Sequence, residues 1–247
     1  MKINNVLFCS GGKDSVASLI LAKEHGEPLD AVVFVEVMFD KNISGENPLH
    51  LGFIMDKLKP YVEKEIGVSF IILRAKKTYL DCFYRIVTKG KGEGKHVGFP
   101  IPGMCVINRD LKMKPIREFR KAHNIETEYV GIAIDEPERL TRIDGKNKVS
   151  LLAKYGYTRA MAKELCIKYD LFSPVYEISK RNGCWFCMNC NKSEWIWLIK
   201  NRPELFEKLV QIEQDTPNLY RECLTRTETA TQIKAQLEVY TQQLSFF

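Results

Sequence analysis

The chain predicts an α/β fold, a parallel sheet with helices on both faces, and three observations carry that prediction. Short apolar runs alternate with segments of helical spacing as far as residue 134. One of these runs, residues 31–37, is apolar and β-branched, as expected of a parallel strand covered on both faces. The first run leads directly into a Gly-Gly turn and a helix, the usual opening of a βα unit.

Taken in order, residues 5–8 form the first strand and residues 15–22 the body of the helix after it. Residues 31–37 are the second strand. Residues 50–64 are helical in pattern, with a kink or break expected at Pro60, which lacks an N–H and crowds the preceding turn. Residues 68–73 are the third strand and residues 79–87 a helix. The stretch Lys89–Gly–Lys–Gly–Glu–Gly–Lys95 is too glycine-rich for regular structure and predicts a mobile loop. Residues 112–123 are helical and residues 128–134 form the fourth strand. From Val149 onward the pattern is helical, apart from residues 173–178 and a cysteine-rich stretch, and Ile233, Leu237, Tyr240 and Leu244 form a core-facing stripe. The expected division is an α/β domain over residues 1–145 and a helical, cysteine-bearing portion over residues 146–247.

Composition removes several classes. With 45% hydrophobic and 11% aromatic residues in 247, the chain can bury a large core and is not a disordered protein. No apolar run approaches the roughly 20 residues of a membrane span, and no signal-peptide pattern opens the chain, so a cytoplasmic protein without a membrane partner is expected. Twelve basic residues stand against four acidic ones between Lys76 and Lys121, an excess of +8 in a chain of net charge +6. Such a field suits nucleotide phosphates or a nucleic-acid backbone; a solvated lysine-rich face reads the same way.

The hexapeptide Ser10–Gly11–Gly12–Lys13–Asp14–Ser15 sits between strand and helix. Two glycines let backbone approach an anion, helix N-terminal amides and the helix dipole favour negative charge there, and Ser10, Ser15 and Lys13 add donors. Asp14 can hold a metal ion or cap the helix.

This hexapeptide resembles the signature of the PP-loop ATP pyrophosphatases, whose fold is the adenine nucleotide α-hydrolase-like α/β sheet. Further stretches resemble the phosphoadenosine phosphosulfate reductase-like branch: Phe34 to Asp40 with Gly45–Glu46–Asn47–Pro48, Cys105 with Leu111–Lys112–Met113–Lys114–Pro115, Gly131 through Arg139, and Ser173–Pro174 with Asn182–Gly183–Cys184–Trp185–Phe186–Cys187. The gap after Cys105 is longer than in the branch, and Met188 stands where the branch has proline. The resemblance implies that Ser10, Gly11, Gly12, Lys13, Asp14 and Ser15 hold the phosphates of Mg2+–ATP, or of an adenylated sulfate-type ligand. It also implies that Glu36 lies by the adenosine, that Lys112 faces a phosphate, and that Asp135, Glu136 and Arg139 line the cleft. For Asp135 and Glu136 a capped turn before Pro137 is the competing reading, and for Arg139 a surface ion pair.

Eight cysteines in a chain without an export pattern do not suit a disulfide framework. Cys184–x–x–Cys187–x–x–Cys190 places three soft ligands in one loop. Zinc usually takes two pairs, whereas a Cys-x-x-Cys-x-x-Cys run with a distant fourth ligand is common for a 4Fe–4S cluster, so the cluster is favoured over Zn2+. Cys105 is the preferred fourth ligand and Cys166 its rival. Cys9, Cys82 and Cys223 read as packing residues, His50 as structural, and Trp185, Trp195 and Trp197 as a shield around the cysteines. The expected activity is ATP-dependent adenylation of a substrate for sulfur transfer. DNA, tRNA or a small metabolite would be the acceptor, and a sulfur-donor protein a further partner. The alternatives are a phosphoadenosine or adenosine phosphosulfate reductase, and a non-catalytic nucleotide- or nucleic-acid-binding subunit of a modification or defence complex.

Overall fold

In the computed structural model, which describes residues 2–101, 103 and 105–244, the elements follow one another as β1 (Asn5–Phe8), α1 (Lys13–Glu24), β2 (Ala31–Glu36), α2 (Pro48–Phe53), β3 (Ser69–Arg74), α3 (Tyr79–Phe83), α4 (Lys114–Ala122) and β4 (Thr127–Tyr129). They continue as α5 (Pro137–Leu140), β5 (Lys148–Val149), α6 (Leu151–Lys154), α7 (Arg159–Lys168), α8 (Lys192–Asn201), α9 (Pro203–Asp215) and α10 (Ala230–Leu244). Contacts divide the chain into two interleaved units. One comprises Met1–Glu36, Pro48–Arg74 and Pro115–Tyr176; the other comprises Val37–Asn47, Ala75–Lys114 and Glu177–Phe247. The expected cut near Gly145 falls inside the first unit, because β5, α6 and α7 pack with the sheet rather than with the cysteines. No helix among the described residues is long and apolar enough to cross a membrane.

The first unit is an α/β fold around a five-stranded, all-parallel sheet of order β3-β2-β1-β4-β5. Period-two alternation sorts its side chains to two faces. Leu7, Val32, Phe34 and Phe70 join the core built with α1, α6 and α7, while Val6, Ala31 and Val33 face Phe119 of α4 on the other side. Helices therefore cover both faces, as expected. The chain runs outward from β1 through β2 to β3, then returns to place β4 on β1's other side, so the strand order reverses at β1 and β4. A crevice outside the carboxyl ends of the strands at such a reversal is where open α/β sheets take ligands.

Three expectations change here. The chain stays helical through Pro60, which sits between two wider π-turn segments, Ile54–Leu58 and Tyr61–Ile66, and the run ends at Gly67 in the left-handed conformation. The wider turns on either side keep the chain helical although the proline nitrogen donates no bond, so the expected break is absent. Strand β4 ends at Tyr129, well short of residue 134. Gly131 leaves the sheet there and lies so close to α1 that a Cβ on it would meet the backbone of Asp14 and Ser15 at 2.7 Å. The short strand β5 escaped notice because two residues carry no periodicity.

The second unit is mainly helical. Helices α8, α9 and α10 pack on an aromatic core that includes Phe39, Tyr79, Phe83, Trp185 and Phe206. Helix α3 stops at Phe83 rather than at residue 87, and a hydrogen-bonded turn follows. Val87 N donates to Lys95 O and Gly94 N to Val87 O, so the Lys89–Lys95 stretch is irregular, as expected, but tied across its base rather than open. Trp185 and Trp195 are buried core residues, as are Cys9 and Cys82, whereas Cys223 is only half-buried. In the α10 stripe Ile233 and Leu237 are buried; the side chains of Tyr240 and Leu244 lie outside the described residues.

Candidate nucleotide loop and cysteine cavity

Strand β1 delivers the chain to the reversal point, and Ser10 to Ser15 turn it into α1. Gly11 makes the turn with φ +73, a conformation that side chains avoid, packed against the ring of His50. Gly12 is the N-cap and has no capping side chain, so the first turn of α1 lacks the cap most helix starts carry. The Lys13 amide donates to the Tyr176 hydroxyl (3.1 Å) and the Ser15 hydroxyl to Gly12 O (2.8 Å). Lys13 Nζ contacts Asp14 Oδ1 at 2.6 Å, both side chains being partly open to solvent. Beneath the loop, fully buried His50 joins Ser10 O (2.8 Å, from Nε2) to the Ser173 hydroxyl (2.9 Å, from Nδ1). Cys166 donates its thiol to Lys13 O (3.2 Å), and burial pushes that thiol up to about 12. The cysteine held open as a fourth metal ligand thus packs under the Ser10–Ser15 turn. His50, Ser173, Tyr176 and Gly131 were not among the predicted site residues, although Gly131 and Ser173 stand in stretches that carry the resemblance and His50 follows another.

The other residues expected around this loop are drawn into ion pairs. Glu36 ends β2, and its buried carboxylate accepts Arg74 Nε (2.8 Å) and Nη2 (2.7 Å), leaving its backbone at the strand end. Glu136 stands at the N-cap of α5, accepts Arg139 Nη1 (2.7 Å) and Ala133 N (3.2 Å), and its carboxyl is held below the usual range. Burial is the largest single influence and opposes that shift; the Arg139 and Ala133 hydrogen bonds and the charges of Arg139 and Arg159 together outweigh it. Asp135 accepts from Arg159. The capped-turn reading of this stretch describes its geometry.

The cysteine cavity lies wholly within the second unit. Residues 45–47 pair with residues 183–185: Asn47 N donates to Gly183 O (3.0 Å) and Trp185 N to Gly45 O (3.0 Å). Gly45 must be glycine, since a Cβ would meet the Phe186 ring at 2.7 Å. Successive turns, Cys187 N to Cys184 O (3.1 Å) and Cys190 N to Cys187 O (2.8 Å), carry the three cysteines past one another. A reciprocal cap between Asn191 and Glu194 then opens α8 and anchors the loop's exit.

Cys105, Cys184 and Cys187 line one cavity of about 180 Å3, together with Lys112, Arg181 and Met188. The Cys190 sulfur instead points to Cys184 O (3.6 Å) and Trp185 O (4.0 Å), outside that lining. Lys112 Nζ sits 3.1 Å from the buried Glu46 Oε1. Burial disfavours its cation, but Glu46 and then Cys184 raise its pKa. The structure therefore gives Lys112 to the cysteines and to Glu46. Burial pushes the Cys184 and Cys190 thiols up. Arg181 Nη2 is buried without a hydrogen-bond partner, and a partnerless guanidinium N–H beside sulfur ligands is where an anionic group would be welcome. Neither Glu46, as a side chain, nor Arg181 was predicted.

Among the described residues, no three His, Cys, Asp or Glu side chains are gathered to hold a single metal ion. Tetrahedral zinc with ~2.3 Å bonds would need its thiolates about 3.8 Å apart. The donor set, soft and spread around a cavity with two cations, fits a larger anionic cluster better than one ion.

No family model matches the chain, and no curated protein matches it. Among solved structures it is similar to a U34-tRNA thiolase, NcsA from Methanococcus maripaludis with its [4Fe-4S] cluster, at 14% identity and a TM-score of 0.47, over 98% of this chain and 73% of that one. A likeness of that depth assigns neither ligand nor activity.

Proposed function

We propose that the chain is an ATP-dependent PP-loop enzyme that breaks the α–β phosphate bond, adenylates an acceptor oxygen and prepares it for sulfur transfer. The observation that carries this reading is the strand–Gly-Gly–helix loop at the point where the strand order reverses, buttressed from beneath by His50, Ser173 and Gly131. In this reading the first-turn amides of α1 and the Ser10 hydroxyl hold the pyrophosphate. Lys13 turns from Asp14 to the α–β bridge, and Asp14 would hold Mg2+, whose charge offsets that of the leaving group. The acceptor oxygen attacks the α-phosphorus and pyrophosphate departs. A sulfur nucleophile then attacks the activated carbon and AMP leaves. Cys105, Cys184 and Cys187, which line the cavity, would hold a 4Fe–4S cluster, and Cys190 would complete the set by turning its sulfur from the Cys184 and Trp185 carbonyls; the cluster supplies a soft site for sulfur. Lys112 and Arg181 would offset its negative charge, and the aromatic core around Trp185 would keep water from it.

Calorimetry with ATP and Mg2+, followed by a pyrophosphate-release assay with candidate acceptors, tests the first half. Lys13→Ala is expected to weaken ATP binding by about 10- to 100-fold, the cost of one charge-assisted contact. No heat from ATP at any concentration overturns the reading. Anaerobic purification with iron and sulfide analysis tests the second half. About four irons per chain are expected. A colourless protein with stoichiometric zinc removes the cluster and leaves the nucleotide loop in place.

A further inference from the structure

Two stretches of the second unit that the proposed reaction does not use come together at the surface. Tyr220 N donates to His96 O (2.7 Å), His96 N to Asn218 O (3.1 Å) and Phe99 N to Arg221 O (3.1 Å). The glycine-lysine turn is thereby fastened to the loop between α9 and α10. Gly92 lies flat under Tyr220, and a Cβ there would meet the ring at 2.5 Å. Tyr220 is nevertheless 43% exposed as a residue, and Ile86 nearby is 45% exposed. The Arg221 guanidinium stands 5.6 Å from the Tyr220 ring centre.

Two hollows adjoin and share the Tyr220–Arg221 ridge. One, of about 370 Å3, has Arg85 and Lys89 in its wall; the other, of about 470 Å3, has Arg226. Residues 84–99 and 218–226 together carry six basic residues, Arg85, Lys89, Lys91, Lys95, Arg221 and Arg226, against Glu93 and Glu222. Among the described residues none of the six forms an ion pair, whereas Lys112 and Arg120, also within the basic segment, are paired with Glu46 and Glu128.

A ridge with an exposed aromatic ring and a guanidinium plane, hollows on either side and unpaired cations along it matches one polymer. Single-stranded nucleic acid presents flat bases to stack and phosphates at intervals to pair. A duplex would hide its bases from the ridge, and an acidic peptide has nothing to stack. We propose that this ridge binds single-stranded nucleic acid, with Tyr220 and Arg221 stacking bases and Arg85, Lys89 and Arg226 meeting phosphates. The inference deepens the functional reading by naming the acceptor class, and rests on it for the statement that the bound strand is the acceptor; binding itself is independent of it.

The test is fluorescence anisotropy with labelled 12-nucleotide RNA and DNA single strands, the matching duplexes and a polyglutamate control, over a salt series. Binding to a single strand is expected, with a log–log salt slope near −2 for three phosphate contacts at about −0.7 each. Tyr220→Ala should weaken it by roughly 5- to 100-fold, the range for one lost base stack. Lys89→Gln with Arg226→Gln should flatten the slope. Gly92→Ala, which moves the ring, should weaken binding without changing that slope. RNA bound more tightly than DNA, or the reverse, assigns the strand type. Absence of binding at low salt, equal binding of duplex or polyglutamate, or indifference to Tyr220→Ala in a variant with an unchanged circular dichroism spectrum overturns the inference. ATP calorimetry on the same samples separates the two readings: intact ATP heat with no strand binding sinks only this one, and strand binding without ATP heat sinks only the enzyme.

Discussion

A methyl group at position 11 would meet His50 and Ile54 at 2.9 Å, on a backbone whose φ of +73 already resists any side chain. Gly11→Ala is therefore expected to cost about 1–3 kcal/mol of stability and most of the ATP affinity, measured by thermal denaturation and calorimetry. His50 acts on the same loop from below. His50→Ala leaves the Ser173 hydroxyl and the Ser10 carbonyl without their partner and opens a void, for about 2–4 kcal/mol and a weakened nucleotide site. The turn itself was legible in the sequence because two glycines between an apolar run and a helical pattern mark a strand-to-helix turn, which the structure has at Ser10 to Ser15. Its supports were not. Tyr176 acts through a single hydroxyl that leaves no spacing to read, and Gly131, though it opens a stretch that carries the resemblance, acts through the absence of a side chain, which shows only once α1 packs against it. Arg181 and Glu46 were missed for the same reason: each matters through the cavity that folding makes around it.

The strands depend on a few polar ties, partly or fully buried, that the apolar pattern does not announce. Asp30 caps the start of the β1–β2 pair, accepting the Asn4 and Asn5 amides at 2.8 and 2.7 Å. The Asn5 amide above all holds its carboxyl below the usual range, against burial. A carboxyl with a depressed folded pKa stabilises above its unfolded value of about 4 and loses that contribution as pH falls through the folded value. Asp30→Asn is expected to cost about 1 kcal/mol at pH 6 and progressively less toward pH 3, read as the difference between urea midpoints. On the neighbouring strand, buried Glu128 takes a two-pronged bond from Arg120 (2.6 and 2.8 Å) and a further contact from Lys148 of β5 (3.4 Å). Glu128→Ala strands these cations and is expected to cost about 3 kcal/mol in equilibrium unfolding. Element identity was legible wherever apolar residues recur with a period. Element ends were not, because Gly131 closes β4 through a long-range contact and Pro60 is absorbed by a wider helical turn.

At the scale of the molecule, the parallel sheet with helices on both faces followed from the strand–helix alternation. The unit boundary did not, since alternation along a chain says nothing about which later segments return to an earlier core. Leu151, Leu152, Ala162, Leu165 and Leu171 are buried in the core of α1 and β1, so a fragment of residues 1–145 is expected to lack a cooperative thermal transition. A single cut between the units is not available, because the chain passes between them at residues 36, 47, 74, 114 and 176. The thiol of Cys166, sealed under Lys13 and pushed up to about 12, also makes an internal reporter. An alkylating reagent can reach it only while the turn above has lifted, and only the thiolate reacts. The rate at which mass spectrometry finds that cysteine modified therefore clocks the breathing of the loop, and a nucleotide clamped above it should slow the clock.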